Sequence, residues 1–343
     1  MSLTPLAEAL ETILNSARLL TETETRPLQH ARGCVLAEAV CSAVDVPLDD
    51  NSAMDGYAVV SADGTAERRI TQRIPAGHCG IELANGTAAR IFTGAPVPPG
   101  ADAVVMQEDC EVDADLLRIN VEPEPGQNIR PRGQDIEAGA EVFSAGARLR
   151  ARDLGVLASI GSREVLVRRP LRVAVMSTGD ELVEPGSAGL LSGQVYNSNR
   201  YTLIGLVSGM GLEVVDLGIV PDDPGATAAA LAEAASRADC IITSGGVSVG
   251  EEDHVRAQVE AQGELQLWKL RIKPGKPLAF GRVGDTPFFG LPGNPAAVFV
   301  TFNLVVRPFL LRCLGVVDVA PLRLQVPAGF SWSRPGKIGR AHV

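Results

Sequence analysis

The hydrophobic and polar residues change their spacing twice along the N-terminal half, and each spacing predicts a different kind of element. Within residues 3–20 the apolar residues have the spacing of an amphipathic helix, at Leu6, Leu10, Ile13, Leu14 and Ala17. From about residue 44 to residue 140 the pattern becomes short β-like runs separated by Gly and Pro, such as IPAGHCG and EPGQNIRPRGQDI. A short helix and a strand are predicted within residues 151–168. We therefore expect a small, mainly β module at residues 44–140.

Residues 171–315 alternate regularly between strand-like and helix-like segments. Strands are predicted at RVAVM, EVVDLGIV and CIITS, then at a basic segment and at PFFGL. Helices are predicted at Ser198–Gly209, 226–237 and 252–262, with a last helix after GLPGNP. Asp222, Asp223 and Pro224 are good starting residues for the second of these helices. Such alternation predicts a parallel sheet with right-handed crossovers.

The basic segment, residues 265–276, reads LQLWKLRIKPGK. With a period of two, apolar and cationic side chains point to opposite sides, in the order Trp268, Lys269, Leu270, Arg271, Ile272 and Lys273. A turn at Pro274 and Gly275 follows, and Lys276 comes directly after it. Because the formal net charge of the chain is −10, this cationic face favours an anionic ligand. The alternative is a solvated strand face with snorkelling lysines.

Three glycine-bearing loops, at residues 177–181, 243–250 and 291–295, each follow a predicted strand. In an open α/β sheet such loops lie at the carboxyl ends of the strands, where ligands bind. Gly245 and Gly246 allow the backbone to approach an anion, and the following helix N-terminus offers unpaired N–H groups. A single Gly-Gly turn is more often structural. Three loops at one sheet edge, beside a cationic strand, favour a phosphorylated ligand.

Acidic side chains accompany two of these loops, at Asp180, Glu181, Glu251, Glu252 and Asp253. Carboxylates beside a phosphate site commonly hold Mg²⁺. The alternative for residues 251–253 is charge pairing with a helix N-terminus. The chain has neither a Walker A sequence nor GxGxxG, and its four histidines do not indicate a nucleophilic triad.

The composition restricts the class of protein. A chain of 343 residues is expected to form two or three domains, and 45% hydrophobic with 21% charged residues is typical of a soluble globular protein. With 41 acidic against 31 basic residues and 4% aromatics, we expect no nucleic-acid partner. The six cysteines form no CxxC, which favours free thiols in a reducing cytoplasm.

Neither the N-terminus nor the last apolar run predicts a membrane or secreted location. The N-terminal residues carry acids and helical spacing rather than the pattern of a secretory signal. Residues 296–314 are apolar, but Asn303, Arg307 and Pro308 interrupt them, so a buried helix of an α/β layer is the better interpretation. We therefore expect a cytoplasmic protein without a membrane partner.

Seven motifs occur together in this chain: PLDDNSAMDGYAV, IFTGAPVPPGADAVV, RPRGQDI, STGDEL, TSGGVSVGEEDHV, KPGKPLAFG and GLPGNPAAVF. In this order they resemble the molybdopterin molybdenumtransferases, the MoeA and gephyrin E-domain family, over residues 3 to about 315. The resemblance implies an α/β multidomain fold, with a MogA-like three-layer nucleotide-binding domain, an inserted mainly β module and a truncated C-terminal β domain. The implied parts are residues 1–43 with 141–169, then 44–140, 170–318 and 319–343.

The resemblance also implies a reaction, in which molybdate is inserted into the dithiolene of adenylylated molybdopterin and AMP is released with the help of Mg²⁺. It implies a homodimer with the active cleft between two subunits. Carried over by motif, the catalytic residues are Asp55, Asp135, Lys273 and Lys276. The implied metal ligands are Glu181 and Asp253. The implied substrate-binding residues are Thr93, Ser244, Gly245, Gly246, Ser248, Lys269, Pro292 and Pro295.

Two other functions compete with this interpretation. A molybdopterin adenylyltransferase shares the α/β domain alone, and the module at residues 44–140 argues against it. A non-enzymatic scaffold of the gephyrin type would favour a long disordered linker, which the chain does not provide.

The C-terminal residues depart from the family pattern. After residue 320 the sequence begins strand-like at LRLQV and then ends in KIGRAHV, where family members continue into a complete β domain. Because IGRAHV is encoded by a common sequencing adapter, we expect read-through from an incomplete gene fragment.

Overall fold

The computed structural model describes residues 3–187, 189–245, 254–322, 324–327 and 329–331, except for the side chain of Leu267. The chain divides into two compact units. The first unit comprises Met1–Glu38, Ala145–Arg150 and Glu164–Val343, and the second comprises Ala39–Ser144 and Ala151–Arg163. The four-part division expected from the sequence stays a prediction. Each unit is described by itself below.

The elements are numbered in chain order. The helices are α1 (Leu6–Asn15), α2 (Ala151–Ser159), α3 (Ser198–Gly209), α4 (Pro224–Arg237), α5 (His254–Gln262), α6 (Pro295–Thr301) and α7 (Arg307–Cys313). Short 3-10 turns lie at Leu28–His30, Ser61–Asp63 and Gln107–Asp109, and a π-helical segment, Phe302–Val306, joins α6 to α7.

The first ten strands are β1 (Thr23–Pro27), β2 (Val40–Cys41), β3 (Asn51–Ser52), β4 (Gly56–Val59), β5 (Arg68–Ile74), β6 (Thr87–Ile91), β7 (Ala103–Met106), β8 (Cys110–Asp113), β9 (Leu116–Ile119) and β10 (Ile129–Arg130). The other ten are β11 (Glu141–Phe143), β12 (Glu164–Arg168), β13 (Arg172–Thr178), β14 (Leu182–Val183), β15 (Val195–Tyr196), β16 (Glu213–Val220), β17 (Cys240–Ser244), β18 (Gly263–Lys269), β19 (Pro277–Val283) and β20 (Thr286–Leu291).

The helix starts follow local capping chemistry. Helix α3 has the predicted bounds, with Asn197 as its N-cap. Helix α4 begins at Pro224, two residues before the predicted start, because the Asp223 side chain accepts a hydrogen bond from the backbone N–H of Ala226 (2.8 Å). The predicted start of α5 lies outside the described residues, and the described helix begins at His254.

The main sheet of the first unit has the strand order β16-β13-β17-β20-β19-β18. Strands β16, β13, β17 and β20 are parallel, but β19 and β18 are antiparallel additions. The prediction of a wholly parallel sheet was therefore wrong for the pairing of β18, and β19 was not predicted as a strand. Only Gly284 and Asp285 separate β19 from β20, and so short a connection permits a hairpin but no parallel crossover.

Alternate residues of the central strands pack on opposite faces of this sheet, which gives three layers. Val173 and Val175 belong to a core shared with α1, α3, α6 and α7. Ala174 and Met176, on the other face of the same strand, belong to a core shared with α4 and α5. Strand β17 is buried along its whole length, as expected of a central strand covered on both faces. The predicted α/β multidomain class is confirmed.

The second unit is built around a six-stranded sheet with the order β7-β4-β6-β5-β9-β8. Its neighbouring strands are antiparallel except for β5 and β6. Tyr57 and Val59 pack into one core and Ala58 packs into another, so both faces of β4 are covered. This unit contains the mainly β module that the sequence predicted.

The last apolar run forms one helical stretch, Pro295–Cys313, that is long and apolar enough to cross a membrane by length and composition alone. Of its most hydrophobic part, 67% is buried inside the first unit, where Phe302 and Phe309 are at most 1% exposed. The interpretation as a buried core helix is confirmed. Beyond Cys313 the described residues form no helix or strand, so the strand expected at LRLQV was wrong there. Leu322, Leu324 and Val326 are at least 75% exposed, without a neighbouring strand to pair with.

A partly buried ion pair contributes to the stability of the first unit. Arg169 donates to both carboxylate oxygens of Asp239, at 2.7 and 2.9 Å, and the backbone N–H of Arg172 donates to Asp239 Oδ2 at 2.7 Å. Burial opposes ionisation of Asp239, but these hydrogen bonds outweigh it and hold the pKa of Asp239 below its ordinary value of 3.8. The contribution is therefore complete above the unfolded-state pKa and is lost as pH falls through the lower folded-state pKa.

We expect Asp239→Asn to lower the free energy of unfolding at pH 7 by about 2 kcal/mol, since a guanidinium loses its charged partner. The loss should shrink as pH falls through the folded-state pKa of Asp239. Urea denaturation at several pH values measures both effects. Asp285→Asn is the control, because the Arg18–Asp285 pair is exposed and contributes little. Equal effects of the two substitutions would contradict the prediction.

Candidate functional site

Four chain segments meet the same edge of the main sheet. Thr178, Ser244 and Leu291 end the parallel strands β13, β17 and β20. Strand β18 is antiparallel to β19, which is antiparallel to β20, so β18 runs in the same direction as β20. Its carboxyl end, Lys269, therefore lies at this edge too. For the described residues, the predicted placement of the three loops and the cationic segment at one edge is confirmed.

A cleft of about 240 Å³ lies at this edge, within the first unit. It brings together four of the predicted site residues, Glu181, Ser244, Gly245 and Pro295. It is also lined by Thr178, Leu182, Val195, Tyr196, Asn197, Ser198, Asn199 and Gly293. Pro292 is buried directly after β20 and is not part of this lining, nor are the three lysines. Gly246, Ser248 and Asp253 lie outside the described residues.

A chain of hydrogen bonds fixes Ser244 at the base of the cleft. The hydroxyl groups of Ser244 and Ser177 are 3.2 Å apart, and Ser177 Oγ donates to Asn197 Oδ1 at 3.3 Å. The three side chains are at most 3% exposed. The sequence had indicated neither Ser177 nor Asn197 as a site residue. The only available signal was an Asn before a predicted helix, which identifies a cap and not a position in a cleft.

Gly245 shows why a glycine follows β17. Its φ is +91°, and an added Cβ would lie 3.1 Å from the carbonyl oxygen of Thr178. Its backbone N–H donates to the carbonyl oxygen of Leu291 at 3.1 Å. Gly245 is thereby bonded to the end of β20 and lies close to the end of β13.

Glu181 is the one predicted metal ligand among the described residues. Its carboxylate folds back over the loop after β13, where an added Cβ on Gly179 would lie 2.4 Å from Oε2. Within the described part of the chain, no group of three His, Cys, Asp or Glu side chains is placed to hold a metal ion. Glu181 is exposed, and its carboxylate is a suitable ligand for Mg²⁺. A complete set of Mg²⁺ ligands needs further oxygen donors in addition to Glu181.

The three lysines of the cationic segment lie around a turn at the end of β18. Leu270 N–H donates to the carbonyl oxygen of Lys276 at 2.6 Å, and Thr4 N–H donates to that of Lys269 at 2.9 Å. Leu270 is fully buried, whereas Lys273 and Lys276 are exposed and Lys269 is half-buried. No described acidic side chain forms an ion pair with these lysines. Burial alternates as predicted from Leu270 to Lys273, but Trp268 and Lys269 are both half-buried, and the strand ends at Lys269.

The distribution of lysine is a signal that the sequence interpretation did not use. The chain contains four lysines, of which three lie within residues 269–276 and the fourth is Lys337, whereas it contains 27 arginines. Lysine is a compact, strongly hydrated point charge with three donors, and arginine is a planar fork suited to ion pairs. The concentration of lysine at this turn favours a small oxyanion as its ligand.

In the second unit the structure brings Asp55 and Thr93 together. Both the backbone N–H and the hydroxyl of Thr93 donate to Asp55 Oδ1, each at 2.8 Å. These two hydrogen bonds, with a smaller effect of the Arg90 charge, hold the pKa of Asp55 below its ordinary value. Asp55 is exposed, so a carboxylate stays ionised here and its second oxygen remains available.

Arg90 lies beside this pair and is held by aromatic rings. Its guanidinium stacks 4.7 Å from the ring centre of Phe92 and 5.0 Å from that of Tyr57, and it donates to the carbonyl oxygen of Gly56 at 3.0 Å. Asp135 instead pairs with Arg130 at 2.6 Å. No hydrogen bond or ion pair connects Asp135 to Asp55 in the second unit. The catalytic roles of both aspartates stay predictions.

We expect Thr93→Val to raise the pKa of Asp55, because one of two hydrogen bonds to its charged form is removed while the backbone donor remains. The shift should be upward, toward the ordinary value, and is measured by NMR titration of the Asp55 carboxyl carbon. Thr87→Val, at the start of β6, is the control, since the Thr87 hydroxyl donates to the carbonyl oxygen of Ala84. An unchanged Asp55 pKa in Thr93→Val would show that the hydroxyl does not stabilise the carboxylate.

Comparisons with known proteins identify the family of this chain. Residues 4–161 match the family described as MoeA N-terminal region (domain I and II), and residues 174–312 match the family described as probable molybdopterin binding domain. The chain is 42% identical over 320 residues to a molybdopterin molybdenumtransferase of Haemophilus influenzae, covering 90% of this chain and 78% of that protein. It is 40% identical over 306 residues to one of a Nostoc species, covering 86% and 70%.

Solved structures give the same assignment. The molybdopterin biosynthesis MoeA protein of Pyrococcus horikoshii superposes with a TM-score of 0.80 at 31% identity, covering 93% of this chain and 81% of that one. Both units and the loops at the carboxyl edge thus fall within one known family. The chain belongs to the molybdopterin molybdenumtransferases, enzymes of molybdenum cofactor biosynthesis.

Proposed function

We propose that this enzyme takes molybdopterin in its adenylylated form, inserts molybdate into the dithiolene and releases AMP with the help of Mg²⁺. The observation that carries the proposal is the placement of a polar cleft and a lysine turn at one edge of the same sheet. A nucleotide-linked pterin and an oxyanion need two such sites. The two dithiolene thiols form two Mo–S bonds, and one molybdate oxygen leaves as water with both thiol protons. Water cleaves the P–O bond between the AMP phosphate and the molybdopterin phosphate, and AMP is the leaving group.

The distance along the sheet edge supports a long substrate. Strands β20 and β19 separate β17 from β18, so three inter-strand spacings lie between Ser244 and Lys269. At about 4.8 Å per spacing this is about 14 Å. A ligand that reaches from the cleft to the lysine turn must have roughly that length, as a nucleotide joined to a second ring system would.

Each group of residues has a role in this proposal. Lys273 and Lys276 hold molybdate through charge-assisted hydrogen bonds, with Lys269 at the entrance of the turn. Glu181, together with Asp253, holds Mg²⁺ against the phosphates. The loops with Ser244, Gly245, Gly246 and Ser248, and with Pro292 and Pro295, bind the substrate. Asp55 and Asp135 supply carboxylates, and Thr93 supplies a hydroxyl.

The proposed working state is a cytoplasmic homodimer with the active cleft between two subunits, as the family resemblance implied. Sedimentation of the purified protein tests the dimer.

The family matches argue against the adenylyltransferase alternative. Residues 4–161 match the MoeA N-terminal region, in addition to the match of residues 174–312 to the molybdopterin binding domain.

The test of the reaction uses adenylylated molybdopterin, molybdate and Mg²⁺ with the purified enzyme. We expect AMP release that needs all three, and Glu181→Gln should raise the Mg²⁺ concentration at half-maximal rate. Formation of adenylylated molybdopterin from ATP and molybdopterin would instead support the adenylyltransferase. If the folded protein shows neither activity, the non-enzymatic scaffold is the alternative that remains. Unchanged Mg²⁺ dependence in Glu181→Gln would remove Glu181 from the metal site.

A further inference from the structure

Arg90 lies in the middle of a row of side chains on one face of the second unit's sheet. Its register partners are Tyr57 on β4 and Arg73 on β5. Phe92 lies two residues further along the chain from Arg90 and faces the same side. Two guanidinium groups directly opposite each other on neighbouring strands repel. This pair therefore needs an interaction that offsets the repulsion.

The ring of Phe92 supplies that interaction. The guanidinium carbons of Arg73 and Arg90 lie 4.6 and 4.7 Å from its centre, and that of Arg90 also lies 5.0 Å from the ring centre of Tyr57. Arg73 is exposed and Arg90 is half-buried, and neither forms an ion pair within the described part of the chain. The position of the Arg90 guanidinium is thus set by two aromatic rings rather than by a carboxylate.

The hydrogen bonds of Arg90 reach the segment that carries Asp55. One guanidinium nitrogen donates to the carbonyl oxygen of Gly56 at 3.0 Å, and another donates to Gln107 Oε1. The backbone N–H of Gln107 donates in turn to the carbonyl oxygen of Asp55 at 3.1 Å. Gly56 is itself tightly packed, since an added Cβ would lie 1.9 Å from the carbonyl oxygen of Val105. Arg90 therefore restrains the backbone on both sides of the Asp55 carbonyl group.

Asp55 and Thr93 meet beside this arrangement. Thr93 directly follows Phe92, and both of its donors lie 2.8 Å from Asp55 Oδ1. Arg90 contacts the segment of Asp55 through Gly56, and it contacts the segment of Thr93 through the ring of Phe92. The two Thr93 hydrogen bonds lower the pKa of Asp55 most, and the Arg90 charge lowers it further.

We propose that Arg90 is a positioning residue, which keeps Asp55 and Thr93 at bonding distance by fixing the two backbone segments that carry them. This role needs a planar cation for the rings and donors on two nitrogens for Gly56 and Gln107, a combination that arginine provides and lysine does not. The inference rests on the proposed function, in which Asp55 and Thr93 act on the substrate, but the contact between them is measurable without substrate.

The test compares Arg90→Gln, which removes the charge and the stacking, with Arg90→Lys, which keeps the charge without a planar group. NMR titration follows the Asp55 carboxyl carbon and the Thr93 amide, and AMP release is measured separately. Arg90→Gln should raise the pKa of Asp55 toward its ordinary value, move the Thr93 amide proton upfield and lower kcat about 10- to 100-fold, because displaced groups lose rate steeply. Arg90→Lys should move the Thr93 amide equally but raise the Asp55 pKa less.

Arg73→Gln is the matched control. It removes one charge from the other contact of the Phe92 ring, on the neighbouring strand, but Arg73 donates to neither Gly56 nor Gln107. It should leave the Asp55 pKa, the Thr93 amide and kcat at wild-type values. Changes as large as those of Arg90→Gln would overturn the inference, because charge alone would then explain them.

A purely structural role of Arg90 gives a different result. If Arg90→Gln and Arg90→Lys lower the melting temperature but keep the wild-type Asp55 pKa and Thr93 amide shift, Arg90 only stabilises the sheet and the inference is overturned. If Arg90→Gln does not fold, the Thr93 amide of Arg90→Lys decides. If the wild-type enzyme releases no AMP, the proposed function fails, and the two NMR readouts alone decide the role of Arg90.

Discussion

Replacement of Lys273 or Lys276 by alanine should raise the molybdate concentration needed for half-maximal AMP release by about 10- to 100-fold. The two residues flank the turn at Pro274 and Gly275 and are exposed. Each ammonium group forms charge-assisted hydrogen bonds with an oxyanion, worth about 1.5–3 kcal/mol, and 1.4 kcal/mol corresponds to a factor of ten. Because neither lysine has an ion-pair partner among the described residues, the melting temperature should change little.

The measurement is a molybdate titration of each purified variant, beside a thermal melt. Arg18→Ala is the matched control, since it removes one positive charge from an exposed ion pair elsewhere in the first unit. It should leave molybdate dependence at the wild-type value. If both lysine variants keep the wild-type molybdate requirement, the lysines are merely solvated, which was the alternative interpretation of the strand. If Arg18→Ala has the same effect as they do, overall charge rather than position is responsible.

Local sequence signals predicted the elements of the first unit well, because helix caps and hydrophobic periods act over a few residues. The bounds of α3 and β17 are those expected from the sequence. Strand β19 was not predicted at all, and the antiparallel pairing of β18 could not be predicted in this way, since a strand pattern with period two is the same for parallel and antiparallel pairing. Only the two-residue connection before β20 carried that information.

The site residues also differ in whether local sequence patterns could predict them. Glu181, Ser244 and Gly245 follow strands and could be found from their loops. The Ser177–Asn197–Ser244 chain joins residues 20 and 67 positions apart, and Asp55 lies 38 positions from Thr93. Such contacts depend on which strands become neighbours, and a single sequence does not encode them in any short pattern. Motifs of the family supplied Asp55 and Thr93 where local physical reasoning could not.

Gly275→Ala should lower the free energy of unfolding by about 2–5 kcal/mol and raise the molybdate requirement at least tenfold. Gly275 is buried with φ +100°, and an added Cβ would lie 2.6 Å from Thr301 Oγ1 and 3.0 Å from Ile272 Cδ1. The backbone strain contributes about 1–2 kcal/mol and the overlap about 1–3 kcal/mol. Relief of the overlap moves the turn, and with it the backbone of Lys273 and Lys276.

Gly211→Ala separates strain from overlap, because Gly211 has φ +79° and nothing lies within 4 Å of the added Cβ. It should cost about 1–2 kcal/mol and leave molybdate use unchanged. Thr301→Ala should restore part of the stability of Gly275→Ala, since Thr301 Oγ1 has no hydrogen-bond partner among the described residues. Urea denaturation of the single and double variants gives the coupling energy.

Stability and molybdate use need not recover together in the double variant. Removal of the Thr301 hydroxyl relieves the overlap, but the alanine at position 275 still opposes a φ of +100°, so a residual displacement of the turn is expected. If stability partly recovers while the molybdate requirement stays above the wild-type value, the backbone conformation of the turn is what orients the two ammonium groups. Strictly additive energies would contradict the contact between Gly275 and Thr301. Full stability loss with unchanged molybdate use would show that the conformation of this turn does not position the lysines for the oxyanion.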